Sequence, residues 1–144
     1  MKLRFVHPVH RATHRIGLYL DDLHERGLTQ GEAHVLALLS GSETVGVADL
    51  HRGLAHKRST LTSILDRLAK RGLITRAVGD RDRRTFVVSL TSKGRKLAKR
   101  VSSHLSALER AVAECVSAAD IRGFSNVIGA LENQAHHRRR RQSR

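Results

Sequence analysis

Aromatic side chains are nearly missing from this chain: three Phe, one Tyr and no Trp in 144 residues. Any ligand cavity it forms must therefore be poor in stacking surfaces. The single cysteine, Cys115, excludes an intrachain disulfide and suits a reducing compartment. No apolar run approaches the roughly 20 residues of a bilayer span, and the N-terminus lacks a signal-peptide core. A soluble, cytoplasmic protein without membrane contact is expected. No Ser/His/Asp arrangement, phosphate loop or paired-carboxylate signal occurs, so the chain reads as no enzyme and as needing no cofactor. Acidic residues are scarce as well: 13 Asp+Glu face 27 Lys+Arg, a formal net charge of +14. Setting aside Arg138, Arg139, Arg140, Arg141 and Arg144 still leaves 22 against 13. A cationic excess spread through the body points to a polyanionic partner, of which nucleic acid is the commonest.

What is present is a patterned core. Apolar residues make up 40% of the chain, which excludes wholesale disorder. Residues 1–7 read as extended, and Pro8 stands where helices often begin. Val9, Thr13, Ile16, Leu20 and Leu23 then predict a long helix to about Arg26, ended by Gly27. Thr29 and Glu32 form a T-x-x-E capping box for a second helix through Leu39, with Ala33, Val35, Leu36 and Leu39 inward. A short extended piece near Thr44-Val45 precedes a third helix over Val47–Leu54. Thr91 or Ser92 caps a long helix to about Val116 whose inner face carries Leu97, Val101, Leu105, Leu108, Val112 and Cys115. Ser117 and Asp120 open a last helix with Ile121, Phe124, Ile128 and Leu131 inward. From Gln134 the chain is expected to be a disordered, arginine-rich tail.

The middle segment carries most information. Leu61, Ile64, Leu65 and Leu68 form one apolar stripe at helical spacing. The opposite face holds Ser59, Thr62, Ser63, Arg67 and Lys70, short hydroxyls and cations rather than a mixed Glu/Lys surface. Gly72 stops this helix and Leu73-Ile74 opens a strand. A basic tip, Gly79-Asp80-Arg81-Asp82-Arg83-Arg84, leads to a return strand over 85–91 in which Phe86, Val88 and Leu90 are expected inward. A hydroxyl-faced helix followed by a cationic ribbon suits major-groove docking with phosphate or minor-groove contact. The expected fold is mainly α with a small β wing, a winged helix-turn-helix between terminal helices. Those helices carry more apolar stripe than one lobe can bury, which argues for a symmetric dimer.

The chain resembles the multiple-antibiotic-resistance regulator (MarR) family of bacterial transcription factors. The match rests on Leu28-Thr29 with Val35-Leu36 and Leu39, and on Ser59-Thr60-Leu61-Thr62 with Leu65-Asp66-Arg67-Leu68. It continues in Arg71-Gly72-Leu73-Ile74 with Arg76, and in Arg81-Asp82-Arg83-Arg84 followed by Val88-Ser89-Leu90-Thr91-Ser92-Lys93-Gly94. The resemblance implies a homodimeric repressor, less often an activator, that binds a palindromic operator in double-stranded DNA and leaves it on binding a small effector. The implied layout is an N-terminal dimerisation helix (1–27), a DNA-binding lobe (28–92), C-terminal dimerisation helices (93–134) and the tail (135–144). Reading positions would fall on Arg58, Ser59, Thr60, Thr62 and Ser63, with Lys57 and Arg67 beside them. The wing contact would be Arg83 or Arg84, with Arg81 as a further cation and Asp82 and Arg76 bracing the wing. Two departures stand out: Lys57 replaces the usual helix-capping residue, and Ala55 stands where the turn often has Gly. Lys57 cannot accept bonds from the helix amides, and its charge opposes the helix dipole unless a phosphate lies nearby.

An effector pocket between the DNA lobe and the dimer helices would be lined by Ile16, Tyr19, His34, Leu38 and His51. The chain holds ten histidines. His7, His10 and His14 can share one helix face, which permits a metal site or a pH-responsive patch. His34 matches a ligand position of the family's zinc-sensing branch and His104 could lie near it, but no fourth-ligand set is complete. Cys115 reads as a small buried hydrophobe. Two alternatives remain: a metal-responsive regulator on the same scaffold, and a nonspecific nucleic-acid binder driven by charge.

Overall fold

A computed structural model describes residues 3–79 and 85–142. Its elements run α1 (Val6–Asp21), α2 (Gln30–Leu39), β1 (Val45–Gly46), α3 (Val47–Leu54), α4 (Arg58–Lys70), β2 (Ile74–Val78), β3 (Phe86–Leu90), α5 (Ser92–Ala113) and α6 (Ala118–Gln142). The protein is mainly helical with one small antiparallel sheet, in strand order β1-β3-β2. No helix among the described residues is long and apolar enough to cross a membrane.

Arg15–Ser106 forms one compact unit. Its core is the apolar side of α2 (Ala33, Val35, Leu36, Leu39) against that of α4 (Leu61, Ile64, Leu65, Leu68). Leu50, Leu73, Ile74, Val88, Leu90, Leu97, Ala98 and Val101 close it. The capping box is present: Glu32 N–H donates to Thr29 Oγ1 at 3.2 Å and Thr29 N–H to Glu32 Oε2 at 2.9 Å. The sheet pairs Ile74 with Leu90 through Val78 with Phe86, and Val45 with Val88. Val88 and Leu90 face inward as expected, but Phe86 is 57% exposed. It lies opposite Val78, also exposed, where the hairpin runs past the end of the core.

The start of α5 sits directly on the turn that ends α4. Thr91 N–H donates to Leu73 O at 3.0 Å, Thr91 Oγ1 to Gly72 O at 2.7 Å, and Lys93 Nζ to Arg71 O at 3.1 Å. Gly94 N–H donates to Thr91 Oγ1 at 3.0 Å, capping the helix. A Cβ on Gly94 would lie 1.8 Å from Leu73 O, so only glycine permits this approach.

Helix α1 begins earlier and ends earlier than its periodicity predicts. Pro8 falls inside the first turn, where a missing N–H costs no intrahelical bond, so the helix starts at Val6. It stops at Asp21, because Asp21-Asp22 put negative charge at the negative end of the dipole. The chain leaves through i→i+3 bonds and a left-handed His24 (φ 52°). Leu23 is buried all the same, outside the helix.

The second unit comprises Met1–His14 with Ala107–Arg144. The Ser117–Asp120 box opens α6: Asp120 N–H donates to Ser117 Oγ, while Ser117 N–H and Oγ–H both donate to Asp120 Oδ2. These bonds hold the Asp120 carboxyl below the ordinary aspartate range, the Ser117 hydroxyl contributing most and its N–H next. Val112, Val116, Ile121, Phe124 and Val127 are exposed in the single chain, and so is Cys115, which was expected buried. The tail is not the disordered segment expected from residue 135: α6 continues to Gln142. No Gly or Pro interrupts this stretch, Ala and Arg are good helix formers, and cations at a helix C-terminus complement its dipole.

Candidate nucleic-acid interface

The interface is built by α3, a three-residue turn and α4. Ala55 takes the left-handed conformation (φ 51°) that turns the chain, at the position where glycine would be unstrained. Lys57 occupies the N-cap with extended backbone and no side-chain cap. The amides of the first turn of α4 therefore keep their partial positive charge, reinforced by Lys57 and Arg58, which favours an anion there.

Helix α4 sorts its two sides completely. Leu61, Ile64, Leu65 and Leu68 are buried; Arg58, Ser59, Thr60, Thr62 and Ser63 are all exposed. Thr62 Oγ1 donates to Arg58 O at 2.9 Å, and Ser63 Oγ donates to Ser59 O at 3.0 Å. Each hydroxyl proton is thus held inward and the oxygen lone pairs are left as acceptors toward solvent.

Arg67, expected among the DNA-facing cations, is engaged elsewhere. Its Nε donates to Glu32 Oε1 at 2.7 Å, and Glu32 is only 1% exposed whereas the Arg67 side chain is 51% exposed. Arg71 adds Nη1 at 3.8 Å from Glu32 Oε2 and Nη2 at 3.2 Å from Glu25 Oε1. Arg100 joins through Glu25 at 3.4 Å and Leu23 O at 2.8 Å. This network ties the last turns of α4 to the start of α2 and to α5. Glu32 was legible as a capping residue; its second duty toward Arg67, 35 residues away, had no local signal.

Arg76 ties β2 to α4. Arg76 Nη2 donates to Asp66 Oδ1 of α4 at 2.5 Å. Arg81, Asp82, Arg83 and Arg84 lie outside the described residues. Asp66 had been read only as part of a family motif, and the structure makes it the strut between helix and ribbon.

The expected effector residues lie on three helices, α1, α2 and α3. Tyr19 and His104 do meet: their rings stack at 3.9 Å, Tyr19 Oη donates to His104 O at 3.0 Å, and His104 Nε2 lies 2.8 Å from Tyr19 O. A carbonyl can only accept, so Nε2 carries the proton and has no lone pair for a metal. Ile16 is half-buried at the core edge, His34 and Leu38 are exposed on α2, and His51 is half-buried on α3. A cleft of about 570 Å³ lies elsewhere, lined by Ser40, Gly41, Ser42, Glu43, Leu90 and Arg95. No group of three or more His, Cys, Asp or Glu among the described residues could hold a metal.

A model of the MarR family matches residues 28–86. The regulator FarR of Neisseria gonorrhoeae is 30% identical over 92 residues, 64% of this chain and 63% of its own length. The repressor MdtR of Bacillus subtilis is 32% identical over 75 residues, 52% of this chain and 48% of its own. With a third, the Bacillus regulator YfiV, the aligned parts span from 44% to 63% of these relatives. Among solved structures, the S. aureus MepR–DNA complex superposes with a TM-score of 0.77 at 19% identity, covering 93% of this chain and 99% of that one. PcaV of Streptomyces coelicolor, in complex with its natural ligand, gives 0.74 at 19% identity, covering 92% and 94%. At such identities these two speak for the fold, while the family model covers the segment from just before α2 to the first residue of β3. Over residues 28–86 the chain is similar to the MarR family, and it carries a MarR-like winged helix-turn-helix fold.

Proposed function

We propose that this protein is a homodimeric, sequence-specific DNA-binding transcriptional regulator, a repressor whose grip on a palindromic operator is released by a small-molecule effector. One observation carries the reading: α4 buries its entire apolar side and turns a hydroxyl-and-cation side, Arg58 to Ser63, wholly to solvent. Such a face offers acceptors and guanidinium donors to base edges, and Lys57 offers charge to a phosphate. Arg81, Arg83 and Arg84 supply the wing's cations. Relatives named as regulators and repressors, and a related fold bound to DNA, support the same assignment. The dimer is supported by Val112, Val116, Ile121, Phe124 and Val127, an exposed apolar row that a second copy of the chain would cover. The effector is supported by a related fold solved with its natural ligand.

Selection of bound fragments from a genomic library, followed by fluorescence anisotropy at physiological salt, tests the proposal. A selected palindrome should bind at least about a thousandfold tighter than random duplex. Arg58→Ala and Thr60→Ala should each cost about 1–3 kcal/mol on that site alone. Equal affinity for selected and random duplex, or a monomer in sedimentation, refutes it. Removing everything after Gln134 separates a charge-driven binder, which would lose all binding, from a regulator, which would only weaken.

A further inference from the structure

Histidines 10 and 14 stand one turn apart on α1, both exposed, and are used by nothing described so far. Their side chains converge: the two Nε2 atoms are 3.3 Å apart, and the rings meet edge to face with centroids at 4.5 Å. On a solvated helix the two imidazoles have room to splay, so this convergence brings two lone-pair-bearing nitrogens to one point. With zinc–imidazole bonds of about 2.05 Å at the tetrahedral angle, two ligating nitrogens lie about 3.3 Å apart. The observed spacing of the two nitrogens therefore matches that of a zinc-bound pair, and a turn of the exposed rings aims both at one ion. A proton shared between the rings satisfies the same pair of nitrogens, and a divalent ion replaces it by accepting both lone pairs at once.

We infer that His10 and His14 form a two-imidazole site for a borderline transition-metal ion such as Zn2+ or Ni2+, with water completing the shell. The ligand type sets the class of ion: neutral imidazole suits Zn2+, Ni2+ and Cu2+, whereas Mg2+ and Ca2+ require oxygen ligands, which this pair does not offer. His7 lies a further turn toward the N-terminus on the same side of α1, but no third His, Cys, Asp or Glu among the described residues completes a cluster. The site is therefore open and exchangeable rather than structural. An occupied site clips residues 10 and 14 of α1 together and adds metal-dependent stability to that helix. The inference uses no residue of α4 or the wing, so its test does not depend on DNA binding.

The full chain, without any added histidine tag, is titrated with ZnCl2 and with MgCl2 by calorimetry. The Nε2 resonances of all ten histidines are followed by nitrogen-detected NMR. One equivalent of zinc per chain is expected, with the His10 and His14 signals moving together and no response to magnesium. His10→Ala and His14→Ala should each remove that equivalent, and His7→Ala should keep it. Because both rings are solvent-exposed, the variants should melt at the parent temperature without metal, and only the parent and His7→Ala should gain stability with zinc. No zinc uptake by the parent, or a stoichiometry unchanged in both His10→Ala and His14→Ala, overturns the inference.

Discussion

Arg67 separates two roles that the sequence cannot. As a DNA-facing cation it would contribute affinity and no stability; as the partner of buried Glu32 it would do the reverse. Replacing Arg67 with Ala removes a charge-assisted bond of 2.7 Å to a carboxylate that is 1% exposed. Such bonds contribute about 1.5–3 kcal/mol, and fully uncompensated buried charges cost about 3–5 kcal/mol. The Glu32 carboxylate would keep the Thr29 N–H at 2.9 Å and Arg71 at 3.8 Å, so the lower part of this range applies. The expected loss is about 2 kcal/mol, or roughly 4–8 °C in melting temperature for a chain of this size. Lys70→Ala, one turn along and exposed, should cost under about 0.5 kcal/mol. A double-mutant cycle with Glu32→Gln should return a coupling of about 1.5–2 kcal/mol. On DNA, Arg67→Ala should leave the dependence of affinity on salt concentration unchanged, because no phosphate contact is lost. An unchanged melting temperature together with a salt slope reduced by about one would refute this account of Arg67.

Ala55→Gly should raise stability by about 0.5–1 kcal/mol in urea unfolding, because a left-handed Ala at φ 51° is strained and Gly is not. Gly94→Ala should lose more than about 3 kcal/mol or fail to fold: its Cβ would meet Leu73 O at 1.8 Å, and a backbone atom cannot step aside as a flexible side chain can. The Asp120 carboxyl is held low by Ser117, so its contribution to the start of α6 is complete above the unfolded aspartate range and fades as pH falls through the folded value. A carboxyl-carbon NMR titration should place Asp120 below the ordinary aspartate range, and Ser117→Ala should raise it only part of the way back, because the N–H of residue 117 still donates.

Local chemistry was read well and distant chemistry poorly. The capping boxes at Thr29/Glu32 and Ser117/Asp120 were visible because donor and acceptor lie three residues apart. The bounds of α3 and the two-sided character of α4 followed from apolar spacing alone. The ion pair of Arg67 had no local signal, because the carboxylate it meets is 35 residues away. Gly94 could be seen in a family motif, but its cause, the carbonyl of Leu73 pressed against its Cα, exists only once α5 is docked on the end of α4. The apolar spacing places the end of α1 too late because Leu23 keeps the helical period after the helix has ended; burial continues where helical hydrogen bonding does not. The expected effector residues share no local motif; of them Tyr19 stacks on His104, 85 residues away.

The continuation of α6 to Gln142 changes what the arginines near the C-terminus can do. A limp cationic strand drapes along a polyanion and lets each charge find its own phosphate. Fixed on a rod that advances about 1.5 Å and turns about 100° per residue, Arg138, Arg139 and Arg140 radiate in different directions. A flat or grooved polyanion then meets only part of the set at a time, and the run acts as a collar of charge, not a tether.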